Sequence, residues 1–223
     1  MITKVAQHEI AVISERTSLV KGFEEYLHSN PAITPSQWSY ETVLQIPPQD
    51  LPNIVVFDLT STADDVIPAV IHINKSPEQI DVLYLLATNS ARPTGNWMKL
   101  LNRLGAKAYL PADANTEQIV HAIERLQSGI PAISPQLTSQ LSWARENSDR
   151  PDHTDGPIGS LTIRQIEILA LISAGFAVRE VAARLHLSPR TVETHKYEMM
   201  KKLKCGSVVA LCRFAIRHGI IMP

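Results

Sequence analysis

Residues 178–203, VREVAARLHLSPRTVETHKYEMMKKL, carry the pattern that decides the architecture of the C-terminal part of the chain. Val181, Ala182 and Leu185 recur at helical spacing before the run breaks at His186, Leu187 and Ser188. Ser188 is a helix N-cap by residue type, and Pro189 stands at the first helical position, where a missing amide hydrogen costs nothing. The helix that follows is expected to reach about Leu203 and to bury Val192, His195 or its neighbour, Met199, Met200 and Leu203. Two short helices joined by three residues, the second capped and basic, predict a helix-turn-helix.

Outward from this pair the pattern stays helical from Leu161 to Ile221. Upstream, Thr162 caps a helix whose apolar face is Ile166, Leu169, Ala170 and Ile172, and Gly175 ends it. Downstream, a last helix starts after Ser207 and runs to His218 and Gly219. Before Leu161 the composition changes: Ser139 to Ser160, SQLSWARENSDRPDHTDGPIGS, is polar with two Pro and two Gly, as expected of a linker. A helix over Pro135 to Arg145 is compatible with Leu137, Leu141 and Trp143 on one side.

The first part alternates short apolar runs with amphipathic stretches. Glu9 to Ile13, about Tyr40 to Ile46, Asn53 to Phe57, Asp81 to Leu86 and Lys107 to Leu110 read as strands. Helical periods lie between them at Leu19, Phe23, Tyr26 and Leu27, and at Trp97, Leu100, Leu101 and Leu104 closed by Gly105. A third, Ile119, Val120, Ile123 and Leu126, is closed by Gly129. The expected fold is α/β: a doubly wound, five-stranded parallel sheet with its functional edge at the strand C-termini, followed by a small all-α domain. The expected division is a regulatory domain at 1–137, a linker at 138–157 and a helix-turn-helix domain at 158–223.

The 223 residues hold 21 Lys+Arg and 22 Asp+Glu, a net charge of -1 that hides a division. From Gly156 to Pro223 there are 10 basic and 4 acidic residues, net +6, which leaves 11 against 18, net -7, for Met1 to Asp155. An acidic body with a basic tail points to nucleic acid as the partner of the tail. No uninterrupted apolar stretch approaches the roughly 18 residues of a membrane span. The opening MITKVAQHEI lacks the apolar run of a signal peptide. Cys205 and Cys212, seven apart in a helical segment, fit neither a zinc spacing nor a disulfide framework. Reduced thiols, a cytoplasmic location and no membrane partner are the expectation.

Over LTIRQIEILALISAGFAVREVAARLHLSPRTVETHKYEMMKKLKCGSVVALCRFAIRHGII the chain resembles the LuxR/FixJ-type DNA-binding domain. The resemblance rests on the opening L-T-x-R-x-x-E-x-L, the A-G before the second helix, E-V-A-x-x-L-x-L-S and T-V-E-T-H. It implies double-stranded DNA as partner, base contacts from Glu193, Thr194 and Tyr197, and phosphate contacts from Arg179, Arg190, Thr191, Lys196, Lys201 and Lys202. A glutamate can accept from cytosine N4 and a threonine methyl can touch thymine, whereas Arg and Lys add affinity without sequence information. As a bare pattern, Arg190 and Lys201 also read as a solvated helix face, and Tyr197 as a packed ring. Val208 stands where many members of the family carry a basic residue.

The acidic half resembles the receiver domain of response regulators, with Asp58 at the phosphoacceptor position after the NIVVF strand. Phosphotransfer in that family also uses two acids after the first strand to hold a magnesium ion, a hydroxyl after the fourth strand and a lysine after the fifth. Here Ser14-Glu15 offers one carboxylate, Leu86 stands at the hydroxyl position unless Thr88 serves, and Ala112 takes the lysine position. Lys107 precedes that position by five residues. The expectation is therefore an atypical, degenerate receiver that works without phosphorylation, as a homodimer or as sensor of an unknown signal or partner protein.

No cofactor, metal or catalytic residue is expected. Degenerate receivers of this superfamily include binders of cyclic di-GMP through a W-[FLM]-[TS]-R motif, but the matching place reads Ile130-Pro131-Ala132-Ile133-Ser134-Pro135, without aromatic platform or arginine. Trp97-Met98-Lys99 is a partial echo at helical spacing. Two alternatives stay open: a conventional response regulator phosphorylated on Asp58, and a protein-interaction adaptor that uses the helix-turn-helix on a partner protein.

Overall fold

The computed structural model describes residues 8–27, 33–61, 66–76, 80–87, 94–138, 159–218 and 220. The chain divides into two compact units, residues 1–61, 72–90 and 101–139 in one, and 62–71, 91–100 and 140–223 in the other. This division runs through two helices of the first half, whereas the linker expected from the sequence is 138–157.

Six parallel strands form one sheet: β1 His8–Ile13, β2 Ile33–Trp38, β3 Ile54–Asp58, β4 Asp81–Leu86, β5 Ala108–Pro111 and β6 Ala132–Ile133. Their order is β2-β1-β3-β4-β5-β6. The order reverses at β1, so the connections leaving β1 and β3 diverge and open a crevice at the C-terminal ends of these two strands. Every residue of β3 is buried, as a parallel strand covered on both faces requires.

Side chains alternate between the two faces. On one, Ile10, Val12, Ile54, Val56, Leu83 and Leu85 pack with Val20 and Phe23 of helix α1 (Thr17–Leu27) and with Ile119, Val120 and Ile123 of α5 (Thr116–Gln127). On the other, the register Phe57↔Tyr84↔Tyr109 lines up an aromatic row that Tyr40 extends, with ring centroids 5.5, 5.9 and 6.3 Å apart. Each large side chain buried in this way contributes roughly 1.5–3 kcal/mol relative to exposure.

The stretch Tyr40 to Ile46 is not a strand. It is helix α2 (Tyr40–Gln45), in which Ser39 caps the start by accepting from the Thr42 amide and the buried residues Tyr40 and Val43 follow helical spacing. The second strand is the earlier ITPSQW, at the sheet edge, where Pro35 is tolerated because no neighbour needs its amide. The two-residue β6 raises the strand number from five to six. Helices α3 (Val66–Ile73) and α4 (Thr94–Arg103) complete the half. Pro68 falls in the first turn of α3, where helical amides lack partners in any case. Residues 135–138 are helical, and the rest of the expected Pro135–Arg145 helix lies outside the described residues.

The C-terminal half contains α6 (Ile163–Ser173), α7 (Val178–Arg184), α8 (Pro189–Lys202) and α9 (Val208–Arg217). Helix α8 packs on α6 and α7, and α9 on α6. Thr162, Ser188 and Ser207 cap α6, α8 and α9 by accepting from the amides of Gln165, Thr191 and Ala210. Gly175 takes φ +95° beyond α6, a conformation that a side chain would strain. Among the described residues, no helix is long and apolar enough to cross a membrane.

Candidate nucleic-acid interface

Between α7 and α8 the chain turns through His186 at φ 51°, and the Leu187 amide donates to the Ala182 carbonyl at 2.8 Å. This turn is tied down from α6: Arg164 donates through Nη1 to Glu167 Oε2 and through Nη2 to the Leu185 carbonyl, each at 2.6 Å. Glu167 is almost fully buried, so its charge needs that partner.

Helix α8 buries Val192 and Met199 and turns the opposite side outward. Arg190, Glu193, Thr194, Tyr197 and Lys201 are exposed, and their spacing puts them on one face. Tyr197 is 71% exposed, which removes the packed-ring reading. Several polar groups on this helix have partners within the chain. Lys196 Nζ lies 2.5 Å from Glu193 Oε2, the Thr194 hydroxyl donates to the Arg190 carbonyl at 3.0 Å, and Thr191 meets the Ser188 hydroxyl at 2.8 Å. Arg179 is exposed near the start of α7, and Val208 is exposed at the start of α9.

Lys202 points the other way. Its Nζ donates to Gln165 Oε1 at 2.9 Å and to the Ser160 carbonyl at 3.1 Å. Gln165 is buried, completes the Thr162 capping box and donates to Glu198 Oε2 at 3.0 Å. One amide side chain therefore joins the start of α6 to the outer half of α8. Gln165 has no mark of a functional residue in the sequence. Its only signal was the Thr-x-x-Gln spacing of a capping box. His195 is part-buried beside Glu198, 3.7 Å from Nδ1 to Oε2.

The crevice at the ends of β1 and β3 holds Asp58, buried to 1% exposure. Its Oδ2 accepts from Ser14 Oγ at 2.7 Å and from Arg16 Nε at 2.6 Å. Its Oδ1 accepts from the Thr60 amide at 3.0 Å and the Thr60 hydroxyl at 2.7 Å. The Tyr40 hydroxyl donates to the Asp58 carbonyl at 2.6 Å. Arg16 Nη1 reaches across to the carbonyl of Ala112, the residue at the expected lysine position, at 2.9 Å. Glu15 is engaged by the Ser61 hydroxyl at 2.7 Å.

A divalent cation asks for open carboxylate oxygens in near-octahedral array. The described residues of the crevice do not fit one. Both oxygens of Asp58 already take two donors each, and one of the donors to Oδ2 is a guanidinium, which would repel a cation there. Among the described residues no group of three or more His, Cys, Asp or Glu is placed to hold a metal. Lys107 lies at the opposite end of the sheet, ahead of β5 and beside Asp81, whose carboxyl is raised by burial while the Lys107 charge pulls it back. Leu86 is buried opposite Pro111, and Thr88 lies outside the described residues, as do the side chains of Trp97 and Lys99. An open pocket of about 820 Å³ borders α5 and residues 131–138, and Arg125 in its wall is committed to the Pro131 carbonyl at 3.0 Å.

Residues 159–215 match the family described as "Bacterial regulatory proteins, luxR family". Response regulator GacA of Pseudomonas aeruginosa is 36% identical over 121 residues, 54% of this chain and 55% of that protein, so the chain spans about half the length of that relative. Response regulator UvrY of Escherichia coli K12 is 29% identical over 169 residues, 75% of this chain and 74% of that protein. RcsB of Salmonella enterica serovar Typhimurium, solved bound to promoter rprA in the presence of the phosphomimetic BeF3-, superimposes with a TM-score of 0.59 at 15% identity. The likeness covers 93% of this chain and 98% of that one, and it is one of fold.

Proposed function

We propose that this chain, in which residues 159–215 are a luxR-type helix-turn-helix domain behind a receiver-like α/β domain, is a sequence-specific regulator of transcription that binds double-stranded DNA in the cytoplasm as a homodimer. The observation that carries the reading is the outward face of α8. It pairs candidate readers, Glu193, Thr194 and Tyr197, with the flanking cations Arg190 and Lys201 on one exposed surface. A major groove roughly 12 Å wide admits such a helix. Arg179, Thr191, Lys196 and Lys202 would add backbone contacts, Lys196 after leaving Glu193 and Lys202 after leaving Gln165. Two copies related by a twofold axis would read a pseudo-palindromic site. The domain limits proposed with it are 1–137 and 158–223, joined by 138–157, and no catalysis is part of the reading.

We further infer that binding does not wait for phosphorylation of Asp58, because each carboxylate oxygen is taken up by two donors and, among the described residues, no open cation site adjoins it. One experiment tests both parts. Selection of fragments from the source genome should yield a site whose affinity falls steeply with salt, as counterion release demands. Joint replacement of Glu193, Thr194 and Tyr197 by Ala should abolish discrimination between that site and random DNA, each lost base contact being worth about 1–3 kcal/mol. Binding should be equal in Asp58→Asn, and incubation with a small phosphodonor and Mg²⁺ should add no mass. A flat salt response sinks the DNA reading, and a phosphoryl adduct absent from Asp58→Asn sinks the second part.

A further inference from the structure

Arg16 was not singled out by its sequence context, yet it is the side chain on which the end of the sheet converges. It follows β1 by three residues and donates to two other strand ends: Nε to Asp58 at the end of β3, and Nη1 to Ala112 just past β5. Its remaining nitrogen, Nη2, is buried without a hydrogen-bond partner among the described residues, so Nε and Nη1 set its position. Ser14, two residues earlier, adds a donor to the same Asp58 oxygen and accepts from the Arg16 amide at 2.9 Å.

We propose that Arg16 is a built-in counter-cation for Asp58 that stands in for the divalent ion and the lysine together, making this crevice a permanent ion-pair joint and not a metal site. A buried carboxylate needs a neutralising partner, and its oxygens need donors. The guanidinium supplies both in one plane, with a fork wide enough to serve a carboxylate and a carbonyl on separate strands, which a point-like ammonium cannot do. The joint ties the ends of β1, β3 and β5 in one arrangement whether or not Mg²⁺ is present. The inference rests on the reading of Asp58 as unphosphorylated, but it concerns the residue that replaces the ion, and its test uses no phosphodonor.

The full chain is unfolded by heat with and without millimolar Mg²⁺, as wild type, Arg16→Ala, Arg16→Lys, Asp58→Asn and the Arg16→Ala/Asp58→Asn pair. The wild-type midpoint should not move with Mg²⁺. Arg16→Ala should lower the midpoint by about 3–8 °C, and Mg²⁺ should recover part of the loss, because the side of Asp58 Oδ2 that the guanidinium occupied is then open to a cation. Arg16→Lys should keep the insensitivity to Mg²⁺ while losing part of the stability, since the charge remains and the bridge to Ala112 does not. The double variant should lose less than the sum of the single losses and should ignore Mg²⁺. A wild-type midpoint raised by Mg²⁺ overturns the proposal, as does an Arg16→Ala that responds no more than wild type. Strictly additive losses overturn the ion pair, and if Arg16→Ala does not fold, failure of the double variant to fold as well overturns it.

Discussion

His218 shows how one side chain sets a condition on the stability of its domain. It caps the C-terminal end of α9 with its ring centroid 4.1 Å from that of Phe214, and burial pushes its pKa below the ordinary 6.5, with the charge of Arg217 adding to the effect. The folded state therefore binds this proton less readily than the unfolded chain does. Stability from this group is whole above pH 6.5 and declines as the pH falls from there through the lowered folded value. Denaturant unfolding of the helical domain should show its midpoint falling on the acid side of that pH, and His218→Gln should flatten this limb. An unchanged acid limb in the variant would assign the slope elsewhere. Helix polarity does not reverse the sign: the C-terminal end of a helix favours a protonated imidazole, so the lowered pKa means that desolvation outweighs it.

Helix α8 depends on its first turn as much as on its apolar face. Ser188 accepts from the Thr191 amide at 3.0 Å, and Pro189 follows at a position that needs no donor. Ser188→Ala should cost about 1 kcal/mol of domain stability, read as a lower midpoint in urea with an unchanged slope, while the outward face of α8 is left intact. Caps of this kind were legible in the residues themselves. Thr162, Ser188 and Ser207 all start helices where expected, because a hydroxyl ahead of an apolar helical period has few other uses. The strands β1, β3, β4 and β5 were legible for a similar reason, each being a short run too apolar for a surface. What misled was local: YETVLQI is short and rich in Tyr, Val, Leu and Ile, as a strand would be, and only the Ser39 cap and the Tyr40 to Val43 spacing mark a helix. ITPSQW carries a proline and three polar residues, a mixture that an edge strand accepts and a central one would not. Arg16 and Gln165 stayed hidden because each acts on residues far away in sequence, Asp58 and Ala112 for the first, Glu198 and Lys202 for the second.

At the level of the whole chain, a net charge of -1 is the sum of a segment of +6 and one of -7, and a DNA partner as proposed would meet the two segments separately. On the proposed reading, the lysines and arginines on and near α8 would set how many counterions leave the phosphates, and so the slope of affinity against salt. The excess negative charge of Met1 to Asp155 acts over distance, raising the free energy of bringing the chain close to a polyanion without altering the contacts themselves. Screening then separates the two contributions. At physiological ionic strength the Debye length is about 8 Å, and at 0.01 M it is about 30 Å, so repulsion from the acidic half should matter at low salt and fade at high salt. Comparison of the full chain with residues 156–223 alone on random duplex DNA should give tighter binding by the shorter segment in dilute buffer. The two affinities should converge as salt is raised, while the DNA contacts of α8 stay the same in both. Equal affinities at low salt would mean that the acidic half exerts no field at the DNA surface. A difference that persisted at high salt would mean that it acts by short-range contact, and the charge argument would then be the wrong account of it.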